Sequence, residues 1–255
     1  MNNFLKNKRA LITGASSGIG EAVAFELIKY KVDLVLSARD MDKLKKLKGE
    51  LLKKDSNINI ELIALDVRDK EQVKESFSNI DVDILINSAG LALGFEPLDK
   101  GDFEDWDIMI DTNIKGLLYV TKLILSKMRE KNSGHIVNLG SVAGKVAYPN
   151  GGVYCATKAA VHSLGESLNA DLFGTNIKVS TIAPGAVETN FSNIRFKGDK
   201  NRAKDVYKGF IPLSAKDIAD AIICILNTPP HVNIQYMDIM PTAQRNPFML
   251  YKEEE

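Results

Sequence analysis

The sequence predicts an α/β chain built on one doubly wound parallel sheet with helices on both faces. Three observations predict it. Short apolar runs alternate with longer amphipathic runs, a glycine-rich turn joins the first pair, and no linker, repeat or low-complexity tract divides the 255 residues. The whole chain, 1–255, is read as a single domain, an ordinary length for one α/β core.

The elements follow in order. Arg9–Thr13 (RALIT) is a compact strand, Ile19–Tyr30 a helix and Val32–Ser37 a second strand. Met41–Lys54 is a charged helix, Ile58–Leu65 a third strand, Lys70–Ser78 a short helix and Asp83–Asn87 a fourth strand. A long helix over Phe103–Lys131 leads to a fifth strand, His135–Leu139, and a second long helix, Val153–Phe173. Val179–Ile182, Ala215–Leu226 and Asn233–Met240 complete the series as strand, helix and strand. Right-handed crossovers between such parallel strands give the doubly wound arrangement. Only residues 188–211 break the rhythm; they are polar and weakly periodic. They read either as a solvated loop or as a lid over a substrate, because long loops in compact domains are often functional.

Composition excludes several function classes. Lys+Arg and Asp+Glu balance at 33 each, so no general attraction to nucleic acid or an anionic membrane is expected. The two cysteines, Cys155 and Cys224, make neither a disulfide framework nor a zinc pattern; they suit a reducing compartment, and no metal is expected. The start, MNNFLKNKRA, lacks the apolar core of a secretory signal, and no run approaches the roughly 20 apolar residues of a membrane span. A cytoplasmic protein is expected.

The first strand runs into Thr13-Gly14-Ala15-Ser16-Ser17-Gly18-Ile19-Gly20 and then a helix. Glycines permit a tight turn and a close backbone approach, and the helix N-terminus offers free N–H groups to a pyrophosphate. The second strand ends at Ser37-Ala38-Arg39-Asp40. In dinucleotide folds this end faces the adenine ribose, and an arginine there accommodates a 2′-phosphate. Arg39 thus favours NADP(H) over NAD(H); Asp40 opposes it, unless it simply caps the next helix. Asp66-Val67 follows the third strand, where the carboxylate suits an adenine amino group or a plain turn. Asn87-Ser88-Ala89-Gly90 ends the fourth strand with small residues that let a ribose and nicotinamide lie close.

Tyr154 and Lys158 stand four apart on a predicted helix and share one face. A free tyrosine titrates near 10, and an adjacent ammonium is expected to lower that value toward a useful one. Ser141 follows the fifth strand at the ligand-binding edge of the sheet, where its hydroxyl could hold a substrate oxygen. Asn113 lies on the apolar stripe Trp106, Ile110, Leu117, Val120, Ile124, so its amide must find partners. It is read either as the holder of a water that relays protons to Lys158 or as a satisfied core asparagine.

Together these residues resemble a short-chain dehydrogenase/reductase. TGASSGIG at 13–20, Asp66, NSAG at 87–90, Asn113, Ser141, Tyr154-Cys155-Ala156-Thr157-Lys158, Pro184-Gly185 and Thr189 carry the resemblance over nearly the whole chain. Ser88 stands where that family more often has a second asparagine. The resemblance implies a Rossmann-type sheet of seven strands ordered 3-2-1-4-5-6-7, and a tetrad of Asn113, Ser141, Tyr154 and Lys158. It also implies a lysine that binds the nicotinamide ribose as well, cofactor contacts from Pro184, Gly185, Val187 and Thr189, and closure of the following segment over substrate. A homotetramer or dimer is implied, packed through the helices near 103–131 and 153–173. The stretches 89–94, 104–106, 109–113 and 240–244 resemble the NADP-dependent serine/3-hydroxy-acid dehydrogenase branch. The expected reaction is therefore hydride transfer between NADP(H) and a carbonyl or secondary alcohol, with a 3-hydroxy acid or hydroxy amino acid as substrate. The rival readings are a reductase of 3-oxoacyl thioesters or other ketones and, more distantly, a non-catalytic cofactor sensor. Lys145 and Tyr148 are expected to line the pocket; Lys145, Arg195 and Arg202 are the candidate cations for a substrate carboxylate.

Overall fold

The computed structural model describes residues 3–253. Its strands, in chain order, are β1 (Arg9–Thr13), β2 (Asp33–Ala38), β3 (Ile60–Ala64), β4 (Ile84–Asn87), β5 (Gly134–Leu139), β6 (Ile177–Pro184), β7 (Val187–Glu188), β8 (Leu213–Ser214) and β9 (Tyr236–Ile239). The helices are α1 (Gly18–Ile28), α2 (Met41–Lys54), α3 (Lys70–Phe77), α4 (Phe103–Ile110), α5 (Leu117–Glu130), α6 (Gly152–Asp171), α7 (Phe191–Arg195), α8 (Lys200–Asp205) and α9 (Ala215–Leu226). Seven strands form one all-parallel sheet ordered β3-β2-β1-β4-β5-β6-β9. Since β7 and β8 pair only with each other, β9 is the seventh strand of that sheet, and the expected order 3-2-1-4-5-6-7 is the observed one.

Alternation along the strands builds two cores. On β1, Ala10 and Ile12 face one side and Leu11 the other; on β2, Leu34 and Leu36 oppose Val35. Both faces are apolar, as a parallel sheet covered on both sides requires. The first core takes Val23 and Leu27 from α1, Leu44 and Leu51 from α2, and Ile218 and Ile222 from α9. The second takes Phe77 from α3 and Val120, Ile124 and Met128 from α5. Among the described residues, no helix is long and apolar enough to cross a membrane.

Two regions differ from the sequence reading. The helix expected over 103–131 is interrupted between α4 and α5 by six residues of π-helix, Asp111–Gly116, centred on Asn113. Apolar periodicity survives one wide turn, so the pattern did not reveal it. The segment 188–211 carries α7 and α8, and the β7–β8 pair clamps its base to the chain just before α9.

Candidate active site

Two connected hollows open at the carboxyl ends of the central strands. A cleft of about 280 Å³ is lined by the glycine loop, by Arg39, Asp66 and Val67, and by Ser88 to Leu91. A cavity of about 370 Å³ is lined by Ser141, Tyr154, Lys158, Pro184, Gly185 and Val187 among others. Ile19, Gly90, Leu139 and Thr189 wall both.

The cleft is shaped by backbone constraint. Gly14 (φ +65°) and Gly18 (φ +59°) adopt left-handed conformations that side chains disfavour. A Cβ on Gly20 would lie 2.5 Å from the Gly14 carbonyl oxygen, so Gly20 serves helix-to-strand packing and lines neither hollow. Ser16, Ser17 and Ile19 line the cleft. Ser17, the N-cap of α1, makes no side-chain capping bond, so the first-turn N–H groups there lack the capping that Asp40 and Asp69 give α2 and α3. Thr13 Oγ1 accepts from the main-chain N–H groups of Ser88 (3.2 Å) and Ala89 (3.1 Å), holding the β1 and β4 ends together.

At the cleft's rim Arg39 is exposed. Asp40 is committed to helix capping, accepting from the N–H groups of Asp42 and Lys43, both at 3.1 Å. Lys43 joins Arg39 in lining the cleft, a cation that the sequence reading missed; its signal was the first helical turn after Arg39. Ser37 Oγ is buried at the same wall and has no hydrogen-bond partner among the described residues. Asp66 binds Arg68 through Nε (3.0 Å) and Nη2 (2.6 Å). Burial raises the Asp66 carboxyl, but the Arg68 hydrogen bonds outweigh it and hold the group below its usual range. Asn87 departs from expectation: its side chain turns into the core and donates to Thr121 Oγ1 and Asn138 Oδ1, both at 2.9 Å, and it lines neither hollow.

Tyr154, Lys158 and Asn113 are all buried, at 8%, 5% and 2% exposure, so the chemistry they offer is shielded from water. Ser141 caps a short 3-10 turn, Val142–Gly144, by accepting from the Ala143 N–H at 3.1 Å, and it lines the same cavity as Tyr154. Lys158 donates to the Leu139 carbonyl at 2.7 Å, and its Nζ lies 5.9 Å from the Tyr154 ring centroid. The expectation that the ammonium lowers the phenol is corrected. Burial, then the nearby Tyr148 hydroxyl, push the Tyr154 phenol above its ordinary value, against weaker pulls from Ser141 and Arg195. Burial also pushes the Lys158 ammonium down, to about 8.

Asn113 is a satisfied residue. Its Oδ1 accepts from the Leu91 N–H (2.9 Å), and its Nδ2 donates to the Leu91 carbonyl (2.8 Å) and to Thr157 Oγ1 (3.0 Å). These bonds occupy both amide donors and tie the π-helical turn to α6, so a water held by those donors is not part of the arrangement. Gly90 keeps this crossing narrow: a Cβ there would lie 3.2 Å from Asn113 Oδ1 and 3.5 Å from Lys158 Nζ.

Of the residues expected around the substrate pocket, Tyr148 and Arg195 line the cavity. Lys145 does not; it pairs with Asp238 at 2.7 Å and lies 3.9 Å from the Tyr236 ring centroid. Arg202 stacks on Phe196 instead. The sequence reading missed His162 and Gln244. His162 lies beneath Ser141, and Gln244 accepts from the Ala186 N–H at 2.8 Å while lining the cavity.

Residues 8–200 match the family described as short chain dehydrogenase. The NADP-dependent 3-hydroxy acid dehydrogenase YdfG of Escherichia coli (strain K12) is 41% identical over 240 residues, covering 92% of this chain and 95% of that protein. The NADP-dependent 3-hydroxy acid dehydrogenase of Schizosaccharomyces pombe is 38% identical over 256 residues, with 98% of each chain covered. A solved closed form of serine dehydrogenase complexed with NADP+ superimposes with a TM-score of 0.90 at 39% identity, covering 96% of this chain and all of that one.

Proposed function

This chain belongs to the short-chain dehydrogenase family, and we propose that it interconverts small 3-hydroxy acids, hydroxy amino acids included, with their carbonyl counterparts. It is an NADP(H)-dependent oxidoreductase acting on CH–OH groups. The observation that carries the reading is that Ser141 and Tyr154 line the same cavity, with Lys158 buried beside them and the cofactor cleft adjoining at Gly90 and Leu139.

The cleft fits the cofactor. The uncapped start of α1 suits a pyrophosphate, the unpartnered Ser37 hydroxyl suits a ribose, and Arg39 with Lys43 suits a 2′-phosphate. When bound, NADP(H) supplies or accepts the hydride. Ser141 and Tyr154 orient the substrate oxygen. Tyr154 gives that oxygen its proton in reduction and takes it back in oxidation. Lys158, pushed down to about 8 by burial and held on the Leu139 carbonyl one helical turn from Tyr154, keeps a labile proton close to the phenol near neutral pH. Asn113 fixes the π-helical turn against α6, and so positions Lys158 rather than acting on substrate itself. The segment with α7 and α8 closes over the cavity, since Phe191, Ser192 and Arg195 already wall it.

The balanced charge and two isolated cysteines support a cytoplasmic protein. Exposed Phe103 and Leu118, with Ile110 at the edge of exposure, lie along α4 and α5 and support a homo-oligomer packed through that face. A substrate screen read by nicotinamide absorbance tests the function. Turnover of 3-hydroxybutyrate or serine with NADP+ is expected; turnover confined to acyl thioesters or nonpolar ketones would overturn it.

A further inference from the structure

We infer that Arg195 is the carboxylate anchor of the substrate cavity, and that the cavity has no ionic partner for an α-amino group. This deepens, and rests on, the 3-hydroxy-acid reading.

Charge inside the cavity is one-sided. Among the described residues lining it, the cations are Lys158 and Arg195, and no carboxylate side chain is present. Lys158 is buried at the chemical end and donates to the Leu139 carbonyl. Lys145 and Arg202, the other candidates, are engaged elsewhere with Asp238 and Phe196. Arg195 is therefore the cation at the substrate end of this cavity, and a cavity of one sign with low-dielectric walls favours an anion; Glu96, Asp102 and Asp105 wall the adjoining hollow that Arg195 also lines.

The guanidinium is held in place rather than left to wave in solvent. Nη1 donates to the Tyr148 hydroxyl at 2.8 Å, and Nε donates to the Gly94 carbonyl at 3.3 Å. The Gly94 N–H returns a bond to the Arg195 carbonyl at 3.0 Å. Gly94 reaches both partners through a left-handed turn (φ +71°). The Phe95 and Tyr148 ring centroids lie 4.7 and 5.3 Å from the guanidinium carbon, and Tyr154 lies 5.8 Å away. One group remains without a partner: Nη2 is buried and makes no hydrogen bond among the described residues. A buried donor left unmade is costly, and a carboxylate is the acceptor that matches a guanidinium edge. Arg195 ends α7, so the segment over the cavity carries the anchor itself.

The same charge count makes a distinction between substrates. A hydroxy amino acid brings an ammonium that finds no carboxylate in the cavity. The acid group and the hydroxyl, not the amine, define the substrate.

The test uses the NADP+-loaded enzyme with butyrate and its neutral isostere butyramide as inhibitors, and 3-hydroxypropionate against serine as substrates. Butyrate is expected to inhibit at a concentration about tenfold or more below butyramide, the worth of one charge-assisted hydrogen bond. Arg195→Met should erase that ratio, and Arg195→Lys should keep part of it. Equal inhibition in the wild-type enzyme, or an unchanged ratio in Arg195→Met, would overturn the anchor; the wild-type comparison needs no variant to fold. Serine should not exceed 3-hydroxypropionate in kcat/KM, and a large preference for serine would overturn the claim about the amine. The same ratio is read as binding of the two inhibitors to the NADP+-loaded enzyme by calorimetry, which does not require turnover of a 3-hydroxy acid. Failure of the proposed reaction and failure of the anchor are thus read separately.

Discussion

The main-chain N–H of Ser141 donates to Nε2 of His162 across 3.3 Å, linking the β5 end to α6 two turns beyond Tyr154. Burial first, then Lys158 and Lys145, push this imidazole down to about 4, so it is neutral and can accept at pH 7. Its other neighbours are the Tyr236 hydroxyl, Asp238, and two glycines. A Cβ on Gly140 or Gly144 would come within 2.6 or 2.7 Å of the ring. His162→Leu removes the acceptor. It is expected to lower kcat by roughly tenfold with little change in KM, because a small misplacement of a positioned hydroxyl is expensive. His162→Gln, which keeps an acceptor, should recover part of the loss. Steady-state kinetics check this, and a change confined to KM would count against it.

Tyr154→Phe deletes the proton without emptying the space. General acid–base catalysis is worth about 10²–10⁴-fold, so kcat should fall by that order. NADPH affinity, measured by fluorescence titration, should stay near the wild-type value. Normal turnover in this variant would refute the proton role.

Arg39→Ala removes the guanidinium at the cleft's rim, while Asp40 stays committed to capping α2. Loss of one charge-assisted contact predicts about a tenfold or greater rise in KM for NADPH and a much smaller one for NADH. Lys43→Ala should act in the same direction. Equal losses for both cofactors would contradict a 2′-phosphate site.

Stability should fall as pH drops below neutrality. Burial pushes His135 down to about 3 and His162 to about 4, against 6.5 for the free group. A depressed histidine favours folding fully above pH 6.5, where both states are neutral. Below that value the unfolded chain takes up protons that the folded chain refuses, and stability is lost until the folded values are reached. Each buried histidine contributes up to about 1.4 kcal/mol per pH unit across this window. Urea unfolding at pH 7 and pH 5 should show the drop. A flat profile would mean that these imidazoles are protonated in the folded protein.

Much of this arrangement was legible in the chain itself. Apolar alternation on β1 and β2, the helical stripes, and Gly14, Gly18 and Gly20 encode local backbone and face preferences, which are properties of short stretches. The strand order and the gathering of Ser141, Tyr154 and Lys158 at one sheet edge followed from those together with a family resemblance. The choice of partner among residues of similar character was not legible. Asn87 stood in a cofactor-like motif, yet its side chain serves the core; Lys145 stood beside Ser141, yet it pairs with Asp238. Asn113 lay on an apolar stripe, and only the π-helical turn shows how its amide reaches Leu91 and Thr157. Arg195 looked like one surface cation among three until Gly94, a hundred residues earlier, was seen to grip it. The sequence by itself determined the strands of the main sheet and most of the helices that flank it, though not the π-helical turn or α7 and α8, because those elements depend on neighbours in the chain. The tertiary structure alone decided which polar groups are spent on one another and which are left for a ligand, because that depends on how distant elements cross and what their crossing seals from water.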